Sequence, residues 1–367
     1  MSGQESRSRN RLNESEEEVL ERIENFRKRR PRFIDEFITL AHGAGGKASA
    51  ALVDAIFIEA FGAPNDVELS DAAGLEVESG RIAFSTDSYV VNPIQFPGGS
   101  IGDLAINGTV NDLSVSGAIP RWISAAFVLE EGLTISTLRE IVADMAAAAK
   151  KAGVRIVTGD TKVVPKGAAD KLYITTAGVG TIPEGRQLGA QRVIPGDKIV
   201  ISGSIGDHGM AVMMARGNLA IEADIHSDSA PVTQLVESLY SAGIDPHWMR
   251  DATRGGLGTV ANELVQAVDV GVVFEDDALP VRPMVRGACD MLGIDPLYVA
   301  NEGCFIAVVS AEQAEKAVET LRTAGAEEAT VIGEIISEPT GVVAVKNSFG
   351  GTRLVDMLVG DPLPRIC

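Results

Sequence analysis

Cysteine is scarce in this 367-residue chain: Cys289, Cys304 and Cys367 are the full set, and no two of them form a C-x-x-C pair. An odd, widely spaced trio excludes a disulfide framework and a zinc knuckle, and it fits a reducing, cytoplasmic compartment. No apolar run reaches the ~18 residues that would span a bilayer. Met1–Arg11 is polar and basic, without the apolar core of a secretory signal. Positive charge is also short, because 32 Lys and Arg face 51 Asp and Glu and leave a formal net charge of −19. An excess of that size repels phosphodiester backbones and anionic lipid, so neither nucleic acid nor membrane is an expected partner. If such a chain binds ATP, divalent cations must bridge the two sets of negative charge.

What is present is enough apolar material, 45% of residues, for two domains with separate cores. Residues 1–36 stand apart, with nine acidic and nine basic side chains. Val19, Leu20, Ile23 and Phe26 recur there at helical spacing, so the region reads as a mobile charged helix added to the fold. From Ile38 the texture changes to small residues and β-branched runs. Strands are expected at Arg81–Ser85 and Tyr89–Val91, around a Thr86-Asp87-Ser88 turn, and at Ile123–Leu129, Val154–Val157 and Leu172–Gly180. Helices are expected at Gly102–Val115 and Ser136–Ala152. This alternation argues an α+β domain over 37–184 with helices on one face of a sheet. The Gly- and Pro-marked stretch from Pro183 to Pro195 is the expected boundary. A second α/β domain follows over 185–353, with strands at Lys198–Ser202, Val270–Glu275, Phe305–Val309 and Val342–Val345. Its expected helices begin near Asp207 and cover Val232–Ala242 and Leu257–Val268.

Residues 354–367 form a tail that ends Pro362-Leu-Pro-Arg-Ile-Cys367. Two prolines favour an extended arm, and ten extended residues reach at most ~33 Å. Such an arm carries a terminal thiol from a domain edge into a cleft. The competing account is a frayed end that happens to finish in cysteine.

Several other segments carry candidate chemistry. His42-Gly-Ala-Gly45-Gly46-Lys47 leads into an expected helix at Ala48–Phe61, so its backbone N–H groups suit phosphate oxygens. It matches neither the Walker A spacing nor the dinucleotide fingerprint, and a plain helix-entry turn explains it equally well. Asp71, Asp87, Asp112, Asp160 and Asp251 each fall beside small residues in what read as turns. Each alone is a turn or cap residue; converging, they would build an oxygen-rich Mg²⁺ site. Arg250 and Arg254 flank a Gly-Gly helix start, where phosphate binding and surface ion pairing are equal alternatives. Lys162 and Glu302 are charged residues held between apolar strands. Facing a cleft, they would form a proton-moving pair.

Read together, these segments resemble the HypE family of hydrogenase-maturation carbamoyl dehydratases, within the PurM-like (aminoimidazole ribonucleotide synthetase) superfamily. The resemblance runs over about residues 38–367. It is carried by HGAGG at 42–46, STDSYV at 85–90, FPGGSIGDLAINGTVNDLSVSGA at 96–118 and VTGDTKVV at 157–164, and continues with GDHG at 206–209, MRDATRGG at 249–256, DPLYVANEG at 295–303 and the terminal PRIC. It implies a two-domain PurM-like fold and a homodimer joined through the first domain. It also implies ATP with Mg²⁺ as cofactors, and dehydration of a carbamoyl group on Cys367 to a thiocyanate. In that reading Asp71, Asp87, Asp112 and Asp251 hold Mg²⁺, and Gly45, Gly46 and Lys47 cover the phosphates. Asn111, Asp160, Arg250 and Arg254 line the ATP site, Glu302 removes a proton and Lys162 assists it. The implied partners are a HypF-type carbamoyltransferase and a HypC–HypD iron scaffold. Two departures stand out: Cys304 replaces a frequent basic residue, and Asn92 a frequent Asp. The alternatives are a superfamily kinase or synthetase acting on a free small molecule, for which Cys367 would be idle, and a non-enzymatic thiol carrier.

Overall fold

Alternating burial along three of its four strands marks the first sheet. In the computed structural model, which describes residues 34–43, 47–62, 80–217, 224–357, 363 and 365–367, β1 is Arg81–Tyr89, β2 Ile119–Glu130, β3 Arg155–Val164 and β4 Leu172–Ile182. Their order across the sheet is β1-β4-β2-β3. β1 is continuous, which corrects the expected break at Thr86-Asp87-Ser88. Its antiparallel register with β4 runs unbroken from Arg81 opposite Ile182 to Tyr89 opposite Ile174, and that ladder overrides the turn preference of Asp. β3 likewise passes through Gly159-Asp160-Thr161, paired in parallel with Ala125–Phe127 of β2. The expected helix of residues 1–36 lies, apart from residues 34–36, outside the described residues.

Two helices cover one face of this sheet. α1, Ile101–Val115, opens with a capping box between Ser100 and Asp103, which satisfies two otherwise orphaned N–H groups. α2, Ile135–Ala152, is capped by Thr134 and closed by Gly153 in the left-handed region at φ 72°, with Lys150 and Lys151 in its last turn. α2 buries a single stripe that includes Leu138, Ile141, Val142 and Met145. In α1 only Asp103 and Asp112 escape burial. Apolar residues with Gly102 and Gly108 turn one side to the sheet, while Asn107, Asn111 and Ser114 meet the second domain. α1 is therefore the wall shared by both halves.

The second sheet has seven strands: β5 Lys198–Ile201, β6 Trp248–Asp251, β7 Gly271–Glu275, β8 Phe305–Val309, β9 Thr330–Ile336, β10 Val343–Lys346 and β11 Thr352–Leu354. They lie in the order β11-β10-β7-β9-β5-β8-β6, antiparallel except for β10 with β7. The helices of this half are α3 Asp207–Ala215, α4 Thr233–Ser241, α5 Gly256–Ala267, α6 Pro283–Leu292 and α7 Ala311–Thr323. β6, α6, α7 and β9 are elements that the sequence pattern did not single out. β6 is only four residues long and ends in Asp251, so it reads as a turn on composition alone. One apolar cluster crosses the boundary between the halves. It joins Leu104, Ile106 and Phe127 of the first to Met210, Val285 and Val299 of the second, together with Leu363 and Ile366 from the chain's end.

Candidate active site

Four carboxylates converge where the two halves meet. Asp87 points from β1 to the helix-covered face, and Asp112 extends from the last turn of α1 and accepts from Ser85 Oγ at 2.6 Å. Asp251 closes β6 and is 6% exposed; Glu302 sits in the loop before β8 and is 3% exposed. Tyr89 Oη donates to Asp87 at 3.4 Å. Arg254 approaches Asp87 at 3.9 Å from solvent. The Glu302 loop is held by its backbone. Asp228 accepts from the N–H groups of Glu302 and Gly303, each at 3.0 Å, and Asn111 Nδ2 donates to the Glu302 carbonyl at 3.0 Å. Gly303 is obligatory here, because a Cβ would overlap the Asp228 carbonyl.

This convergence changes protonation. Burial, reinforced by Asp112, raises Asp87 to about 6 despite the opposing Arg254. Burial and then Asp112 raise Asp251 to about 7. Burial, then Asp251, Asp228, Asp87 and Asp112, hold the Glu302 carboxyl well above the usual range. Burial is the largest cause of all three rises, and the like charges of the cluster, offset only in part by Arg254 and Arg250, add to it. Among the described residues no group of three His, Cys, Asp or Glu side chains is already posed around a single ion position. The chemistry of the donor set nonetheless fits a divalent cation: all hard oxygens, mutually repelling and short of positive charge. Asp71, the fourth expected ligand, lies outside the described residues.

The end of the chain docks beside this cluster. Val90 N–H donates to the Cys367 carbonyl at 3.2 Å and Asn92 N–H to the Arg365 carbonyl at 3.3 Å, as in a short strand pairing that continues β1. Arg365 Nε returns a bond to the Val90 carbonyl at 3.1 Å and its guanidinium pairs with Asp170 at 2.9 Å. Leu363 and Ile366 are buried, and Cys367 is partly buried against the same apolar cluster. Cys367 thus follows an anchor only three residues beyond Asp87.

Other expected site residues fall elsewhere. Gly45 and Gly46 lie outside the described residues, and Lys47 is the first residue of the helical segment Lys47–Leu52. Asn111 engages both amide atoms, donating to Ala230 and Glu302 and accepting from Val232 N–H at 2.9 Å. It tethers the two halves. Arg250 pairs with Glu263 at 3.7 Å on the surface. Asp160 and Lys162 pair with each other at 3.2 Å, both more than 60% exposed. They lie on β3, the opposite edge of the sheet from β1, about 14 Å away at ordinary strand spacing. Cys304 is buried, donates to the Gly203 carbonyl at 3.6 Å and is pushed up to about 12 by burial, so it stays a thiol. Tyr89, Asp228 and His208 were not singled out as site residues. Asp228 reads as one more loop aspartate between serines, whereas His208 lies inside the Gly-Asp-His-Gly segment, the signal that was available.

Two mixed α/β halves sharing a wall helix, with an acidic cleft between them, define the class. Descriptions of the N-terminal and C-terminal domains of AIR synthase related proteins match residues 69–182 and 195–346. The carbamoyl dehydratase HypE of Rhodobacter capsulatus is 50% identical over 340 residues, covering 91% of this chain and 99% of that protein. A crystal structure of the hydrogenase maturation protein HypE in complex with ATP superposes with a TM-score of 0.85 at 46% identity, covering 89% of this chain and 99% of that one. A HypE–HypF complex matches with a TM-score of 0.74 at 43% identity over 84% of this chain and 100% of the matched one. The chain belongs to the HypE family of carbamoyl dehydratases, enzymes of hydrogenase maturation.

Proposed function

We propose that this chain dehydrates a carbamoyl group carried as a thioester-like S-carboxamide on Cys367, using ATP, and leaves a protein thiocyanate. The observation that carries this reading is the docked terminus, which ties the Cys367 backbone to Val90 beside the Asp87–Asp112–Asp251–Glu302 cluster. The ATP complex and the HypF complex of its relatives support the nucleotide and the carbamoyl donor.

The carboxamide oxygen attacks the γ-phosphorus and ADP leaves. The phosphorylated oxygen then departs as inorganic phosphate, taking the C–O electron pair. The nitrogen gives up two protons as C≡N forms: one ends on phosphate and the other is released. Amide oxygen is a poor leaving group and phosphate a good one, and tethering makes the attack intramolecular. Glu302, buried in the carboxylate cluster, receives a proton from nitrogen. Burial and the neighbouring carboxylates make it hold its own proton; neutralising those carboxylates lowers that affinity and would leave Glu302 ionised, able to accept. Asp87, Asp112 and Asp251, with Asp71, would hold Mg²⁺, which when bound supplies positive charge for the phosphates and the carboxylates. Gly45, Gly46, Lys47 and Arg254 would face the phosphates, with Arg250 toward the nucleotide; Asp160, on the uncovered face of β3, would reach a nucleotide only in a second copy.

Lys162 does not reach Glu302 within one protomer. It shares the uncovered face of the first sheet with Ile82 and Phe84, which are 57% and 68% exposed. An apolar sheet face of this kind calls for a partner, and a second copy laid across it forms the expected homodimer and brings another Lys162 towards the β1 edge. The cyanide would pass to iron on a HypC–HypD scaffold in the cytoplasm. No helix among the described residues is long and apolar enough to cross a membrane. The deciding experiment is the mass of the C-terminal peptide after incubation with a HypF-type carbamoyltransferase, carbamoyl phosphate and ATP. Gain of one carbamoyl, then loss of one water, is expected; a terminal peptide that never gains mass would overturn the reading.

A further inference from the structure

His208 lies in the Gly-Asp-His-Gly segment that opens α3, and it is fully buried. Its Nε2 meets the Ile366 carbonyl at 3.0 Å and its Nδ1 meets Ser227 Oγ at 2.8 Å. A carbonyl only accepts, so Nε2 carries the proton. Burial lowers the ring's pKa to about 4, which leaves Nδ1 a bare acceptor for the Ser227 hydroxyl. Ser227 Oγ in turn accepts from Ser229 N–H at 3.0 Å. The next residue along, Asp228, receives both N–H groups of the Glu302 turn. Around this histidine the segment is shaped for the docked end. A Cβ on Gly209 would meet Val299 at 2.5 Å and Leu363 at 3.4 Å, and Arg216 donates to the Arg365 and Asn92 carbonyls, each at 2.7 Å.

We propose that His208 and Ser227 form a latch that holds the chain's end docked and couples that docking to the placement of Glu302 through Asp228. Both are positioning residues: they touch backbone, not the reacting atoms. When Ile366 leaves, His208 Nε2–H is left buried without an acceptor, a cost of the same order as a lost buried hydrogen bond. The ring is then free to turn away from Ser227, and the Ser227–Ser229 turn that carries Asp228 loses one of its fixed points. Docking of the thiol and alignment of the carboxyl are therefore one event. The proposal rests on Cys367 being the carrier of the reacting group.

Its test uses the full chain and two readouts. The first is alkylation of Cys367 by iodoacetamide, followed in the C-terminal peptide, with buried Cys289 and Cys304 as internal references. The second is the rate at which preformed carbamoyl-Cys367 loses water at saturating ATP. His208→Leu removes the donor and should raise Cys367 alkylation about tenfold, the effect of one buried hydrogen bond. Dehydration should slow with no change in the KM for ATP. His208→Gln keeps an N–H at the far end of the side chain and should restore both readouts to within about threefold. Ser227→Ala, at a partly buried loop position, should reproduce the slow dehydration and a smaller rise in alkylation; it carries the test alone if His208→Leu does not fold. Wild-type alkylation in Ser227→Ala and His208→Leu overturns the latch. Loss of ATP affinity in step with rate also overturns it, since that marks general damage. If alkylation responds as expected but wild-type protein makes no thiocyanate, the latch stands and the dehydration reading falls.

Discussion

The two edges of the first sheet carry the same residue types with opposite consequences. At the β1 edge Asp87 lies against α1 beside Asp112, and the proton affinities of Asp87, Asp251 and Glu302 rise together. At the β3 edge Asp160 and Lys162 form an exposed pair that neutralises itself. The difference comes from the pleat and from what covers each face: side chains two residues apart share a face, and only one face of the sheet has helices on it. The buried edge stores repulsion that a cation and a nucleotide can relieve. The open edge has nothing to act on until another surface meets it.

The widest separation between the two edges should appear in chemistry. Cys367→Ala should accept no carbamoyl group at all while keeping nucleotide binding measured by calorimetry. Glu302→Gln should accept it and stall there, with dehydration slower by about 10²–10⁴, the range for a lost general base. A Glu302→Gln protein that yields thiocyanate at the wild-type rate would place the base elsewhere. Lys162 tests whether the far edge works through a second copy. Lys162→Ala alone should slow dehydration, and mixing it with Glu302→Gln protein should recover roughly a quarter of wild-type activity, because half of the mixed population would be heterodimers with one intact site. Phe84→Asp, which charges the uncovered face, should prevent that recovery and give a monomer in light scattering. A mixture no more active than its components would mean that Lys162 serves its own protomer or none.

Why was one edge legible in the sequence and the other not? Phe305–Val309 and the helix bodies of α1 and α2 follow from apolar period and capping residues, which are local. Asp87 and Asp160 both looked like turn aspartates, because Thr-Asp-Ser and Gly-Asp-Thr have turn composition and the ladder that straightens them is formed with distant strands. Motif resemblance marked Asp71, Asp87, Asp112 and Asp251 as one set and Glu302 with Lys162 as another; the structure places Asp87, Asp112, Asp251 and Glu302 near one another and Lys162 on the far edge. It could not reveal that Asn111 would be taken up as a tether, since its partners at 230, 232 and 302 are set by how the halves pack. The acidic loop residue Asp228 was invisible for the same reason: its role is to hold a backbone turn 74 residues away.

A smaller effect is expected in the pH dependence of stability of the ligand-free protein. Asp251, raised from 3.8 to about 7, stabilises the fold fully below the unfolded value and loses that contribution as pH rises through 7. Between pH 6 and pH 8 this amounts to about 1 kcal/mol, with Asp87 adding in the same direction. His208 acts oppositely: lowered from 6.5 to about 4, it costs stability as pH falls below 6.5. The melting temperature should therefore rise from pH 8 to pH 6 and go on rising towards pH 5, where Asp87 and Asp251 together outweigh His208. Asp251→Asn should flatten the upper limb, and Mg²⁺ with ATP should flatten it in the wild type. An unchanged slope in Asp251→Asn would mean that neither burial nor its carboxylate neighbours raise Asp251 as its placement implies.

The smallest effect belongs to the exposed pair, and its smallness is the point. Asp160 and Lys162 are 62% and 68% exposed at the side chain, so water screens their attraction, and an isolated surface pair contributes about 0–1 kcal/mol. Asp160→Ala should leave chemical denaturation midpoints within about 0.5 kcal/mol of wild type and should not alter the pH slope set by Asp251. Its catalytic effect should track dimer assembly: detectable at concentrations where the homodimer forms, absent from the Phe84→Asp background. A destabilisation of several kcal/mol would show that this edge is buried against something already in the isolated chain. A catalytic defect that persists in the Phe84→Asp monomer would show that Asp160 reaches its own protomer's cleft, and the contrast between the two edges would no longer hold.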